Sequence, residues 1–303
     1  MKKILVTGSN GLLGQKIVYK LKDRTDVELI ATARGENRLL EQNGYTFHLL
    51  DIESRENVDA VIDQVKPDSI IHTAAMTQVD DCELDHAACD RANVDAVHYI
   101  VDAAERNNCH LVHISTDFIF NGEEGPYDEE GVADPLSYYG NAKWKGELIV
   151  QKSKLKWAIL RTVLVYGIVD NMSRSNIVLW AKGALEKGNP INVVDDQFRS
   201  PTLAEDLADG CILAVDKNAT GIYNISGKDQ FSIIDLVREI ADYYGLDKNL
   251  IDPVSSETLN QAAKRPPKTG FILDKARRDL GYNPHSFKEG IAIMEKQLEI
   301  KNV

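Results

Sequence analysis

Lys3-Ile4-Leu5-Val6-Thr7 runs straight into Gly8-Ser9-Asn10-Gly11-Leu12-Leu13-Gly14, and residues 16–21 then carry apolar side chains at helical spacing. This stretch limits the fold more than any other. An apolar, β-branched run without polar alternation is the pattern of a strand covered on both faces, as in a parallel sheet. A parallel neighbour needs a crossover, usually a helix. Three glycines in seven residues mean little alone. Between a first strand and a first helix they gain meaning: Gly8 permits a tight turn, Gly11 lets the backbone approach a pyrophosphate, and Gly14 lets helix and sheet pack closely. A phosphate there lies at a helix N-terminus, where unpaired N–H groups and the dipole favour an anion. The spacing is GxxGxxG rather than GxGxxG.

The alternation continues. Residues 27–32, 45–50, 69–72 and 109–114 read as strands two to five, with helices over 53–65 and through Ala92, Val94, Ile100 and Val101. A further strand at 157–161 follows a helix opened by Pro135-Leu136-Ser137. This pattern predicts an α/β fold with a doubly wound parallel sheet, and ligand chemistry at the carboxyl ends of its strands. Beyond Tyr166-Gly167 the pattern loosens. Helices are expected near 176–187, 233–244 and 287–301, and residues 221–225 read as a last strand returning to the main sheet. We therefore expect a dinucleotide-binding domain over residues 1–166, rejoined by 195–225. A smaller C-terminal substrate lobe is expected from 167–194 and 226–303.

The formal charge of −12 and a pI near 5.1 argue against a general nucleic-acid or anionic-membrane binder. Met1-Lys2-Lys3 resembles the start of a signal peptide, but the apolar run stops at Thr7-Gly8, so a cytoplasmic protein is expected. No apolar run approaches membrane-spanning length. The four cysteines, Cys82, Cys89, Cys109 and Cys211, show no CxxC spacing. Cys82, His86 and Cys89 would share a helix face, yet free thiols are the better reading, and no metal is expected. His72, His110 and His113 read as core or strand-edge residues.

Several positions suggest chemistry. Thr32-Ala33-Arg34 ends the second strand where an NAD enzyme usually places a carboxylate for the ribose hydroxyls. A guanidinium suits a 2′-phosphate, so Arg34 favours NADP, with NAD still admissible. Asp51, beside Ile52, could accept from an adenine amino group, and Ala74 and Ala75 would let a cofactor lie against the backbone. Tyr139 and Lys143 stand four residues apart on a helix and so share a face. A phenol becomes a useful acid or base near neutrality only if its anion is favoured, which a neighbouring ammonium can do.

The motifs together resemble the extended short-chain dehydrogenase/reductases with a Rossmann sheet, and within them the dTDP-4-dehydrorhamnose reductases, over nearly the whole chain. The resemblance is carried by residues 8–14, 74–83, 115–122, 139–143 and 160–162, in that order. It implies that Tyr139 protonates a carbonyl oxygen, that Lys143 binds the nicotinamide ribose and lowers the phenol pKa, and that Thr116 hydrogen-bonds the reacting oxygen. It implies cofactor contacts from Gly8, Asn10, Gly11, Leu12, Gly14, Arg34, Asp51, Ile52, Ala74, Ala75, Tyr139 and Lys143. Contacts to a nucleotide-sugar substrate would come from Thr77, Val79, Asp117, Phe118, Arg199 and Arg265. Some relatives dimerise, so a homodimer is compatible with it.

The departures lie where a sugar would be recognised. Leu164 stands where the family often has Trp, and Arg199 occupies a position that is Gly in the pattern Asp-Gln-x-Gly-x-Pro-Thr. Arg199 resembles the pyrophosphate-binding Arg of sugar-nucleotide epimerases and the matching segment of the methionine adenosyltransferase regulatory β subunit. The expected activity is NADPH-dependent reduction of a nucleotide-activated 4-keto-6-deoxysugar, such as dTDP-4-dehydrorhamnose. The alternatives are a non-catalytic NADP-binding regulatory subunit and a sugar-nucleotide epimerase.

Overall fold

The computed structural model describes residues 1–171 and 175–301. Its centre is a seven-stranded sheet built from β1 (Lys2–Thr7), β2 (Val27–Ala33), β3 (Thr46–Leu49), β4 (Ser69–His72), β5 (His110–Thr116), β6 (Lys156–Thr162) and β7 (Gly221–Asn224). The order is β7-β6-β5-β4-β1-β2-β3, and every pairing is parallel. Parallel strands joined by helical crossovers leave both faces covered, which accounts for the apolar runs.

Helices α1 (Leu12–Leu21), α2 (Arg55–Val65), α3 (Ala96–Arg106), α4 (Tyr138–Lys152) and α6 (Ala204–Asp216) flank the sheet, with α5 (Ile177–Glu186) preceding α6 in the chain. One face buries Ile4, Val6, Ile17, Val18, Leu160 and Leu207. The other buries Leu5, Ile30, Ile62, Ile70, Ile100 and Leu111. Alternate residues of β1 thus serve opposite layers, as strand geometry requires. Each fully buried side chain of this size contributes about 1.5–3 kcal/mol relative to exposure.

A third apolar cluster gathers Tyr166, Val178, Leu185, Ile191, Val193, Ile234, Val237, Ile240, Phe287 and Ile291. It is formed by α5, α7 (Ile233–Tyr244), α8 (Phe287–Lys301) and a small parallel pair, Ile191–Val194 with Ile251–Val254. The chain enters this cluster after β6, returns to the sheet for β7, and leaves again.

Boundaries differ from the sequence pattern where capping decides them. Helix α2 starts at Arg55, because the Ser54 hydroxyl accepts from Asn57 N at 3.2 Å. The helical turns before α3 are separated: Val79–Leu84 and His86–Asp90 are short helices divided at Asp85, whose carboxylate accepts from Ala88 N at 2.9 Å. Cys82 and Cys89 therefore lie on consecutive helices rather than on one continuous face. His86 instead stacks on Tyr138 with ring centroids 3.7 Å apart.

Candidate active site

The sheet order reverses between β1 and β4, and ligands of such sheets bind in the crevice beyond that point. Hydrogen bonds from Thr73 N and Ala74 N to Thr7 Oγ1, at 3.1 and 3.2 Å, join the two strand ends, with Thr73 Oγ1 donating to Thr7 O at 2.6 Å. Gly8 leaves β1 with φ of +69°, and a Cβ there would stand 2.9 Å from Ala74 N. A Cβ on Gly14 would stand 2.2 Å from Gly8 O. Space thus requires glycine at both positions, and at Gly8 the dihedral angle requires it as well.

Helix α1 starts after Gly11, whose N–H donates to Gly8 O at 2.9 Å. Among the described residues no side chain caps this N-terminus, and its first turn carries no acidic residue. The open N–H groups and the small Ala74-Ala75 wall fit a dinucleotide diphosphate. Asn10 steadies the neighbouring loop, donating to Glu36 O at 2.7 Å and accepting from Arg38 N at 2.9 Å. Arg34 is well exposed and pairs loosely with Glu53 at 3.5 Å, so its guanidinium can turn toward an added phosphate. Asp51 Oδ1 accepts from Glu53 N at 3.1 Å; Ile52 packs on the second apolar cluster, and Leu12 lies against Gly167.

Ser137 caps α4 by accepting from Gly140 N at 3.2 Å. The first turns of α4 then place Tyr139 and Lys143 inward, both buried. Burial pushes the Tyr139 phenol pKa well above its ordinary value, opposed in part by the Thr116 hydroxyl and reinforced by Asp117. The phenol is therefore held protonated. Lys143 Nζ donates to Ile114 O at 2.7 Å, and burial brings its pKa down to about 8 against the pull of the Glu147 carboxylate. Burial is the leading influence on the phenol, and the Lys143 ammonium is directed to a strand carbonyl.

Asp117 sits next to Thr116, buried. Its carboxylate accepts from Thr116 Oγ1 at 3.1 Å and from Thr269 Oγ1, and Arg199 Nε lies 3.8 Å away. Burial raises the Asp117 pKa, with Arg199 the main opposing influence. Arg199, 4% exposed, also donates to Phe198 O at 2.7 Å, Pro267 O at 3.4 Å and Gln197 Oε1 at 3.4 Å. Its guanidinium lies 5.7 Å from the Phe118 ring centre, and Phe118 meets Tyr139 edge-on at 5.8 Å. Val79 packs beside Tyr139, and Thr77 is exposed. Arg265 forms a two-pronged pair with Asp80, at 3.1 and 2.7 Å.

Thr116, Asp117, Phe118, Tyr139, Lys143 and Arg199 are thus brought into one neighbourhood, with Val79 adjoining. Arg265 reaches the residue next to Val79 through Asp80. Sequence reasoning gave no role to Asp80, Asn93 or Thr269. Asp80 stands inside the 74–83 motif, but its pairing with Arg265 depends on chain far away in sequence, as does the contact of Thr269 with Asp117; Asn93 lies outside any motif.

A doubly wound sheet with an open glycine turn at its switch point, and a buried Thr–Tyr–Lys group beyond β5, defines an extended short-chain dehydrogenase/reductase. The chain belongs to the family described as RmlD substrate binding domain, whose model matches residues 1–300. It is 30% identical to the dTDP-4-dehydrorhamnose reductase of Aggregatibacter actinomycetemcomitans over 96% of this chain and 97% of that protein. It is 28% identical to methionine adenosyltransferase 2 subunit beta of Xenopus tropicalis over 88% of this chain and 78% of that one. Among solved structures, the dTDP-4-dehydrorhamnose reductase of Bacillus anthracis in complex with NADP superposes with a TM-score of 0.83 at 28% identity, covering 98% of this chain and 100% of that chain.

Proposed function

We propose that this chain is an NADPH-dependent reductase of a nucleotide-activated 4-keto-6-deoxysugar, with dTDP-4-dehydrorhamnose as the leading substrate and dTDP-L-rhamnose as product. The observation that carries this reading is the burial of Tyr139 and Lys143 on one helix, together with Thr116, beside an open dinucleotide cradle. Bound NADPH supplies the hydride to the ketone carbon. Thr116 orients the carbonyl oxygen, and Tyr139 delivers the proton that the oxygen needs as it becomes an alkoxide. Lys143, charged below about pH 8, stabilises the phenolate that remains. Arg34 holds the 2′-phosphate, while Gly8, Asn10, Gly11, Leu12 and Gly14 form the diphosphate turn. Asp51, Ile52, Ala74 and Ala75 flank the adenosine and nicotinamide sides. Thr77, Val79, Asp117, Phe118, Arg199 and Arg265 face the sugar nucleotide.

The domain division expected from the sequence fits this reading. Residues 1–166 with 195–225 bind the cofactor, and 167–194 with 226–303 close over the sugar nucleotide. A soluble cytoplasmic setting is where both ligands would be met.

Incubation with NADPH and dTDP-4-dehydrorhamnose should consume reduced-nicotinamide absorbance. Tyr139→Phe should cut turnover by about 10²–10⁴-fold, the usual worth of a positioned acid, with unchanged NADPH affinity. Unaltered turnover in that variant, or no consumption across several nucleotide-4-ketosugars, overturns the reading. Arg34→Ala should raise KM for NADPH and leave that for NADH little changed.

Arg199 favours a second reading, a non-catalytic NADP-binding subunit. Its guanidinium is committed to Asp117 and to backbone carbonyls, which fills part of the wall that a sugar would use. A stoichiometric partner recovered by pull-down, together with no ketosugar turnover, supports that reading; turnover excludes it.

A further inference from the structure

Cys82, Cys89, Tyr139 and Ala142 form a small apolar cluster behind the active site. Both thiols are fully buried. One donor serves both sulfurs: Asn93 Nδ2 lies 3.4 Å from Cys89 Sγ and 3.9 Å from Cys82 Sγ. The same amide clamps the loop in front, donating to Met76 O at 2.9 Å while Asn93 Oδ1 accepts from Met76 N at 3.0 Å. Cys82 Sγ also donates to Met76 O at 3.8 Å. The other two cysteines have no thiol neighbour of this kind: Cys109 donates to Pro67 O, and Cys211 packs in the opposite sheet layer.

We infer that Cys82 and Cys89 are an oxidisable dithiol, which a peroxide converts to a disulfide that displaces the Met76–Val79 wall beside Tyr139. Each sulfur sits on its own short helix, Val79–Leu84 or His86–Asp90, and helices this short are held by packing rather than by their own hydrogen bonds. Local opening of the pair admits a small oxidant without global unfolding. Cys89 is the attacking sulfur, because Asn93 Nδ2 donates to it at 3.4 Å, closer than to Cys82, and a donor at sulfur favours the thiolate. The Cys89 thiolate attacks one peroxide oxygen, the O–O bond breaks, and the departing hydroxide takes up the thiol proton as water. Cys82 sulfur then attacks the sulfenic sulfur. The S–O bond breaks, and the hydroxide leaves with the Cys82 proton as a second water. Two thiols are oxidised by two electrons, and one hydrogen peroxide is reduced to two waters.

A covalent bond draws the sulfurs much closer than contacts to a shared donor do. Asn93 then loses its shared acceptors, and the Met76 loop that it clamps must move. Thr77 and Val79 lie on that loop or at its end, so the sugar-facing wall shifts relative to the phenol.

The test uses the intact protein and hydrogen peroxide. Trypsin cuts after Arg55 and Arg91, while Lys66 precedes Pro67, so Cys82 and Cys89 fall in one peptide. That peptide should lose two hydrogens, and titratable thiols should fall from the four of the reduced chain by one pair. Turnover should fall about tenfold, within the up to ~100-fold that a ~1 Å misplacement near the reacting centre costs, and a reductant should restore it. Cys82→Ser and Cys89→Ser should each keep the starting activity and lose the response. A bridge that forms with no change in turnover or KM overturns the inference. So does a loss of turnover with the peptide still a dithiol, or peroxide damage that persists in both serine variants. Only the turnover arm rests on the reductase assignment. Peptide mass reads the bridge directly, so a wrong substrate and an absent dithiol are distinguishable.

Discussion

Lys143 shows how one side chain can be unfavourable for folding and necessary for chemistry. Its folded-state pKa of about 8 lies below the ordinary lysine value of 10.5. Between those two pH values the unfolded chain binds more protons than the folded one, so stability rises with pH across that window. Below about pH 8 the cost of burying the charge is present in full, on the order of 3 kcal/mol. Replacing Lys143 by Met should therefore raise the melting temperature of the cofactor-free protein at neutral pH, offset in part by the lost hydrogen bond to Ile114, worth about 1 kcal/mol. It should also abolish the rise in stability above pH 8 and eliminate turnover. In the unsubstituted protein, turnover should decline above about pH 8 as Lys143 loses its proton. Melting curves and rate profiles across pH check both expectations. The pairing of Tyr139 with Lys143 was legible from a four-residue spacing, because helix geometry is local. The commitments of Arg199 were not. Whether a guanidinium faces solvent or a buried carboxylate depends on Asp117 and Pro267, which approach it only after the chain has folded back.

Helix α4 is where element and site meet. Its start is fixed by Ser137, and its path past the Asp117–Ile119 turn is set by Gly140, where a Cβ would stand 2.1 Å from Phe118 O. Gly140→Ala must lift α4 away from that turn, carrying Tyr139 off Thr116. Turnover should fall steeply while NADP binding, which rests on β1 and α1, persists. Isothermal titration beside a rate measurement separates the two. Deeper in the helix, Glu147 accepts from Arg161 at 3.0 and 2.8 Å, both side chains being almost wholly buried, and Arg161 Nη1 donates to Glu129 O at 3.2 Å. Glu147→Gln leaves a buried guanidinium without its counter-charge and should cost about 3–5 kcal/mol by denaturant unfolding. The strand-turn-helix opening was readable because apolar runs and glycines act over a few residues. The break between the two short helices was not, since Asp85 decides it by capping one while ending the other, and a continuous helix fits the same residues.

At the scale of the whole molecule, the parallel sheet and its order follow from alternation and from the handedness of crossovers. The contacts that bring residues 263–269 back over the site do not. Arg265 and Asp80 join that segment to the helix after β4, and both are partly exposed. An ion pair of this exposure is worth about 0–1 kcal/mol. Arg265→Ala should therefore leave the denaturation midpoint nearly unchanged while raising KM for the nucleotide sugar. A large fall in stability with unaltered KM would count against a binding role for Arg265.

The route of the chain has a further consequence. Strand β7 occupies one edge of the sheet but is made by residues 221–224, after the first passage through the third apolar cluster and before the second. Lys2 reaches across the same region, donating to Val215 O at 2.6 Å and Asn218 Oδ1 at 3.0 Å. No single cut can release either half as a complete unit. A truncation after residue 166 strips β6 of its outer neighbour, exposing an apolar edge open to pairing with other chains. Split-protein designs and domain exchanges with relatives therefore need three breakpoints, two before β7 and one after it.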